Sequence, residues 1–223
     1  MESAKNRPAL KTMSRWLLLA ALLYFSWLML KITLQYIPIQ TDVAFLRIKQ
    51  QYLEIDAWRI AFFVHVFSSM FALVAGFTQF SATILRKAPK LHRWMGRAYV
   101  INILAVTGPS SFIMACFANG GWPSRLAFGI LAVLWILTTG IGLKSILVKK
   151  IERHKEWMIR SYALTLSAIT LRAWKLGLVL MFDPRPLDLY RLVAWLGFVP
   201  NLLFAEWLIQ KARARKAAVQ SRS

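Results

Sequence analysis

Six apolar runs alternate with short basic or polar stretches along the chain, at 16–37, 58–82, 95–117, 126–147, 158–181 and 189–210. About 20 apolar residues, rising ~1.5 Å each as a helix, cover ~30 Å of hydrocarbon. No alternating barrel pattern accompanies the runs, and lipid cannot satisfy an open strand's backbone groups. The pattern therefore predicts an all-α fold: a polytopic transmembrane helical bundle of six spans. Its parts are a basic N-terminus at 1–15, the bundle at 16–210 and a basic tail at 211–223. Most connections are short, which places successive helices side by side. Residues 38–57 are the exception, and "VAFLRIKQQYLEI" within them reads as a short amphipathic helix lying on the outer membrane surface. Pro109 in "VTGPSSF" should kink the third span and free backbone carbonyls.

Composition agrees with this reading. Of 223 residues, 58% are hydrophobic, with ten tryptophans and fourteen phenylalanines of the kind that gather at membrane interfaces. A net charge of +20 would point to nucleic acid in a soluble protein, but here the charges lie between the apolar runs. With the N-terminus in the cytoplasm, 20 of the 29 Lys and Arg fall on the cytoplasmic side, and the other side holds 5 of the 9 acids. That asymmetry predicts both termini in the cytoplasm and a multi-pass protein of the inner (plasma) membrane. Membrane lipids are the expected partners, with a membrane protein as a further one and no nucleic acid. The first run is too long for a cleaved signal and reads as a retained anchor. The tail "KARARKAAVQSRS" reads as disordered and attracted to anionic lipid.

Two phrases nearly repeat each other. "LHRWMGRAY" (91–99) and "RHKEWMIRSY" (153–162) each hold a histidine, then Trp-Met, then Arg-x-Tyr, at the mouths of spans three and five. These spans run in parallel, so His92 and His154 should share one interface at similar depth on adjacent helices. Two imidazoles so placed suit axial ligation of one b-type haem. Arg97 and Arg160 would then serve the propionates. Trp, Met, Arg and Tyr are equally at home at a lipid interface with no further role. A bare metal site fits less well, since no carboxylate or thiol cluster accompanies the pair. His65 in span two and Arg172 in span five come out at similar depth near the outer surface, where ionisable groups need a partner or a cavity. With Asn119 they make a candidate polar pocket. Glu206 is the further acidic candidate, free to pair with Arg97 or Arg160 instead. No nucleotide loop, catalytic triad or zinc-protease helix is present, so an enzyme is the least favoured class.

Several strings in order carry a family resemblance: "HVFSSMFALVAGFTQF" (65–80), "LHRWMGRAY", "ANGGWPSRLAFGILAVLWILTTGIG" (118–142), "HKEWMIRSYALTLSAITLR" (154–172) and "WLGFVPNLLFAEW" (195–207). Over roughly 58–207 the chain resembles the bacterial multi-pass membrane proteins of domain of unknown function 2306. The resemblance implies an integral membrane protein and no particular reaction. A looser likeness is to transmembrane cytochromes b, where haems bridge histidines on alternate helices. There His92 and His154 match one ligand pair, whereas His65 lacks a histidine partner on the fourth span. Two functions follow: a one-haem electron carrier, or a non-redox component for assembly, transport or lipid interaction.

Overall fold

The computed structural model describes residues 7–221. Ten α-helices, and no strand among the described residues, run as α1 (Arg7–Leu34), α2 (Asp56–Gln79), α3 (Ala82–Lys87), α4 (Pro89–Ile101), α5 (Gly108–Cys116), α6 (Trp122–Leu147), α7 (Ile151–Thr165), α8 (Ser167–Phe182), α9 (Pro186–Leu196) and α10 (Val199–Gln220). Four stretches are long and apolar enough to cross a membrane: Asp56–Gln79, Pro89–Cys116, Trp122–Leu147 and Pro186–Gln220. The bent pair α7–α8 makes a fifth if it counts as one span. From the first expected span, Ala20–Leu34 is apolar but shorter. The expected basic N-terminus begins outside the described residues and is helical from Arg7.

Four units close the core in the order α2, α4–α5, α6, α7, each packed on the next and α7 returning to α2. Outside this ring α1 lies against α2 and α8, while α9 lies on α6 and α10 on α7. The two look-alike phrases thus open helices that are diagonal across the core. The expectation that they stand side by side is corrected: each packs on α2 and α6, and the two meet through side chains, Tyr99 with Ser161 and Thr165. The packing within the ring is close. A methyl added at Gly76 of α2 would sit 1.7 Å from the Tyr162 ring of α7, so glycine is what lets these two helices meet.

Two interruptions shape the bundle. Between α4 and α5 the helix widens to a π-helical stretch, Asn102–Thr107, just before Pro109. Proline has no N–H to donate, and the local widening accommodates its ring. Gly108 belongs to the same device, since a Cβ there would meet the Ile103 carbonyl at 2.4 Å. The freed polar groups are shared with α2: Asn102 Nδ2 donates to the Ser68 carbonyl (2.9 Å) and the Thr107 hydroxyl to Ser68 Oγ (2.8 Å).

The second interruption bends α7 from α8 by 41° at Leu166. The segment "TLSAIT" is rich in hydroxyls that compete for backbone carbonyls and weaken a helix. Carbonyls released in apolar surroundings need new donors, and α10 supplies one. Asn201 Nδ2 donates to the Ala163 carbonyl and to Thr170 Oγ1, both at 3.0 Å. The Thr170 hydroxyl donates onward to the Gly197 carbonyl (2.5 Å). The bend carries α8 outward to α1 and α9 and opens a void between α2 and α6.

The C-terminal tail is helical through Gln220 rather than disordered. Arg213 reaches Glu156 of α7 through two bonds (2.6 and 2.5 Å), and Lys216 pairs with Glu152. These are exposed contacts of modest strength, but they anchor the tail on α7.

Gly76→Ala is expected to cost about 1–3 kcal/mol by overpacking, lowering the detergent-solubilised melting temperature. Gly129→Ala, where a new Cβ meets nothing within 4 Å, should leave it unchanged. Equal melting temperatures for both variants would contradict the packing described.

Candidate functional site: a lidded polar cavity

The void opened by the bend is a cavity of about 670 Å³ walled by α1, α2, α5, α6, α8 and α9. Its volume lies within the ~300–1,000 Å³ typical of small-molecule sites. Aromatic and aliphatic side chains make most of the wall, among them Phe62, Met114, Phe128 and Trp135. A few polar groups converge on it: His65, Ser69, Ser111, Arg172 and Tyr190.

Residues 38–57 form the lid. They fold as two short 3₁₀ turns, Ala44–Ile48 and Gln50–Tyr52, in place of an amphipathic helix on the membrane surface. Leu46 and Lys49 are driven inward, only 0% and 1% exposed. An aromatic cluster seats them: Tyr36 meets Phe62 edge-on at 5.2 Å, and Trp58 stacks on Phe62 at 5.5 Å. The Tyr36 hydroxyl accepts the Phe45 N–H (3.2 Å), tying the lid to the end of α1. Lys49 Nζ donates to the Phe117 carbonyl (2.5 Å) and lies 4.5 Å from the Tyr52 ring centre. Burial, and secondarily the charge of Arg125, push its ammonium down to about 8.

The proton arrangement at His65 follows from its partners. The Ser111 hydroxyl donates to the Thr107 carbonyl (2.6 Å), so Ser111 Oγ must accept from His65 Nδ1–H at 2.9 Å. Nδ1 is therefore protonated, and in the neutral ring Nε2 carries the lone pair. Arg172, half-buried in the same cavity, spends one N–H on the Ala168 carbonyl (2.6 Å) and has no acidic partner among the described residues. Lys175 also faces the cavity, as does Asp183 at its rim.

His65 and Arg172 both line this cavity. Asn119 stands just outside the lining, its main chain facing Tyr190. Glu206 is separated from that group and lies against α7, where it takes Arg160 through a two-point pair at 2.5 and 2.8 Å. Arg160 also stacks on Trp157 at 4.5 Å. Sequence reasoning missed Lys49, Ser111 and Tyr190. Ser111 could have been found, since it sits four residues after Thr107 in the Pro109 kink. Lys49 gave no signal, because a lysine in a polar loop ordinarily faces water.

At the opposite end of the bundle, His154 Nδ1 lies 2.8 Å from the Gly142 carbonyl. A carbonyl only accepts, so Nδ1 bears the proton and Nε2 is left to other partners. His92 Nδ1 is buried with no hydrogen-bond partner among the described residues. The two rings are near enough for their charges to repel. Arg97 is exposed. Between the ends, a buried hydroxyl network crosses the core: Tyr99 Oη lies 2.9 Å from Ser161 Oγ and 2.8 Å from Thr165 Oγ1. Trp135 Nε1 donates to the same threonine (3.0 Å), and Thr139 joins Ser161 at 2.7 Å.

The burial of Lys49 makes a pH prediction. Its folded value of about 8 lies below the ordinary 10.5, so between these values the unfolded chain holds more protons and stability rises with pH. Below about 8 both states are charged and the full cost of burying the ammonium persists. Chemical unfolding at pH 7.5 to 9.5 should show increasing stability for the wild type. Lys49→Met, which keeps the stem and drops the charge, should flatten that slope; identical slopes would contradict the assignment.

No curated protein and no solved structure matches the chain. A family match does cover residues 62–209, from the aromatic seat of the lid in α2 to the middle of α10. This chain belongs to the DUF2306 family, described as predicted membrane proteins.

Proposed function

We propose that the protein is a membrane-embedded binder of a small amphipathic molecule, a lipid-interacting component held in the plasma membrane by six passes with both termini cytoplasmic. The observation that carries the reading is the lidded cavity: a largely apolar chamber with a few polar side chains aimed into it, as ligand sites are built. The six passes and their orientation rest on the alternation of α1 through α10 and on the excess of Lys and Arg on the His92 side.

The test needs no assumption about ligand charge. A neutral diazirine-bearing decanol, activated in nanodiscs, should label cavity residues such as Met114 and Phe62. Ser69→Phe, which fills the chamber, should abolish those adducts. Labelling confined to outward-facing side chains, or adducts indifferent to Ser69→Phe, would overturn the reading.

A second reading, haem b between His92 and His154, is favoured by the buried, unpartnered His92 Nδ1 and by the free Nε2 of His154. When bound, haem supplies one-electron transfer. The chain would contribute the two imidazoles, His154 being oriented by the Gly142 carbonyl, a backbone support common among ligating histidines. Arg97 is the free cation for a propionate, because Arg160 is taken by Glu206. Protein expressed with ample haem should show a Soret band that His92→Ala removes. No band in the wild type, or one unchanged in the variant, would exclude this site.

A further inference from the structure

The cavity's charge is lopsided. Lys49, Arg172 and Lys175 face it, against one acid, Asp183. Among the described residues none of these three cations is in an ion pair, although six ion pairs occur elsewhere. Arg172 uses one of its five N–H donors on its own helix, at the Ala168 carbonyl. Lys49 is buried by the lid and spends one donor on the Phe117 carbonyl. Arg172 and Lys175 are three residues apart, so they lie on one face of α8.

Lys175 is exposed at the rim, so the cations withdrawn from water without an ion pair are Lys49 and Arg172, and such burial is costly. A charged group kept there without an acid is what a site for an anion requires. The Tyr36 hydroxyl adds a neutral donor, since its oxygen accepts from Phe45 and its hydrogen remains available. The stretch of wall from Phe62 to Trp135 is mostly apolar, with His65, Ser69 and Ser111 as the polar groups set into it.

We infer that the ligand is a single-chain amphiphile with an anionic head, a carboxylate or phosphate, its head between Lys49 and Arg172 and its chain along α2 and α6. This rests on the binding function proposed above and adds the ligand's charge. Arg172 suits a two-point grip on either oxyanion, whereas Lys49 acts as a point charge lowered onto the head by the lid. Lys49 lies outside the matched family region of 62–209 and Arg172 within it. The head would thus be gripped by one residue of the family bundle and one from the segment that precedes it.

The measurement is binding of tritiated dodecanoate to the full chain in nanodiscs, with empty nanodiscs as the blank. Unlabelled dodecanoate, dodecyl phosphate, dodecanol and inorganic phosphate serve as competitors. Dodecanoate and dodecyl phosphate should compete at least about tenfold better than dodecanol, a gap of ~1.4 kcal/mol. Inorganic phosphate should not compete. Lys49→Met and Arg172→Gln should each remove most of that preference, with a monodisperse gel-filtration profile and an unchanged helical circular-dichroism spectrum showing that the variants are folded. Equal competition by dodecanol, or competition by inorganic phosphate alone, would overturn the anionic-amphiphile inference and leave the cavity's binding role standing. Failure of dodecanoate and dodecanol alike would overturn both.

Discussion

The structure depends on one broken helix and on the donors that make the break tolerable. In an apolar medium a released backbone carbonyl costs free energy until something donates to it. At Leu166 the chain turns by 41°, and Asn201 supplies the missing donor at Ala163. With the turn, α8 moves to α1 and α9, and a chamber remains that the lid must close. The bent α8 walls the cavity, and the aromatic cluster of Tyr36, Trp58 and Phe62 seats the lid over it.

Much of this architecture can be read in the residue pattern, because long apolar runs in lipid have few solutions. Four of the runs lie in helices long and apolar enough to cross a membrane, one is bent at Leu166 and the first is shorter, and the Pro109 kink appears as a π-helical widening. Charge and depth offer Glu206 either Arg97 or Arg160, and the packing of α10 on α7 gives it Arg160. The lid does not follow. Residues 44–52 alternate polar and apolar in a helical way, yet their aromatic neighbours on α1 and α2 draw Leu46 and Lys49 inward. Tertiary burial overrides local periodicity there, and burial cannot be seen from one segment. Nor can the diagonal placement of α4 and α7, which depends on how every other helix packs.

The repeated phrase shows how similar words acquire different meanings. Tyr99 enters the core and holds Ser161 and Thr165, whereas Tyr162 lies over Gly76 and donates to the Leu73 carbonyl at 3.2 Å. Arg160 is clamped by Glu206, while Arg97 is exposed. The histidines share an end of the bundle, but His154 is turned to the Gly142 carbonyl while His92 Nδ1 has no partner among the described residues. The two ends therefore differ in chemistry: His92, His154 and the ion pairs of α7 with α10 lie at one, and Lys49 and Arg172 without ion pairs beneath an aromatic lid at the other.

Electron cryo-microscopy of the protein purified without added ligand tests the central claim most directly. The account predicts α7 and α8 bent at Leu166, Asn201 on the Ala163 carbonyl, and an elongated density in the chamber with its polar end beside Arg172. A straight, continuous helix over 151–182 packed against α2, with the chamber filled by side chains, would contradict it.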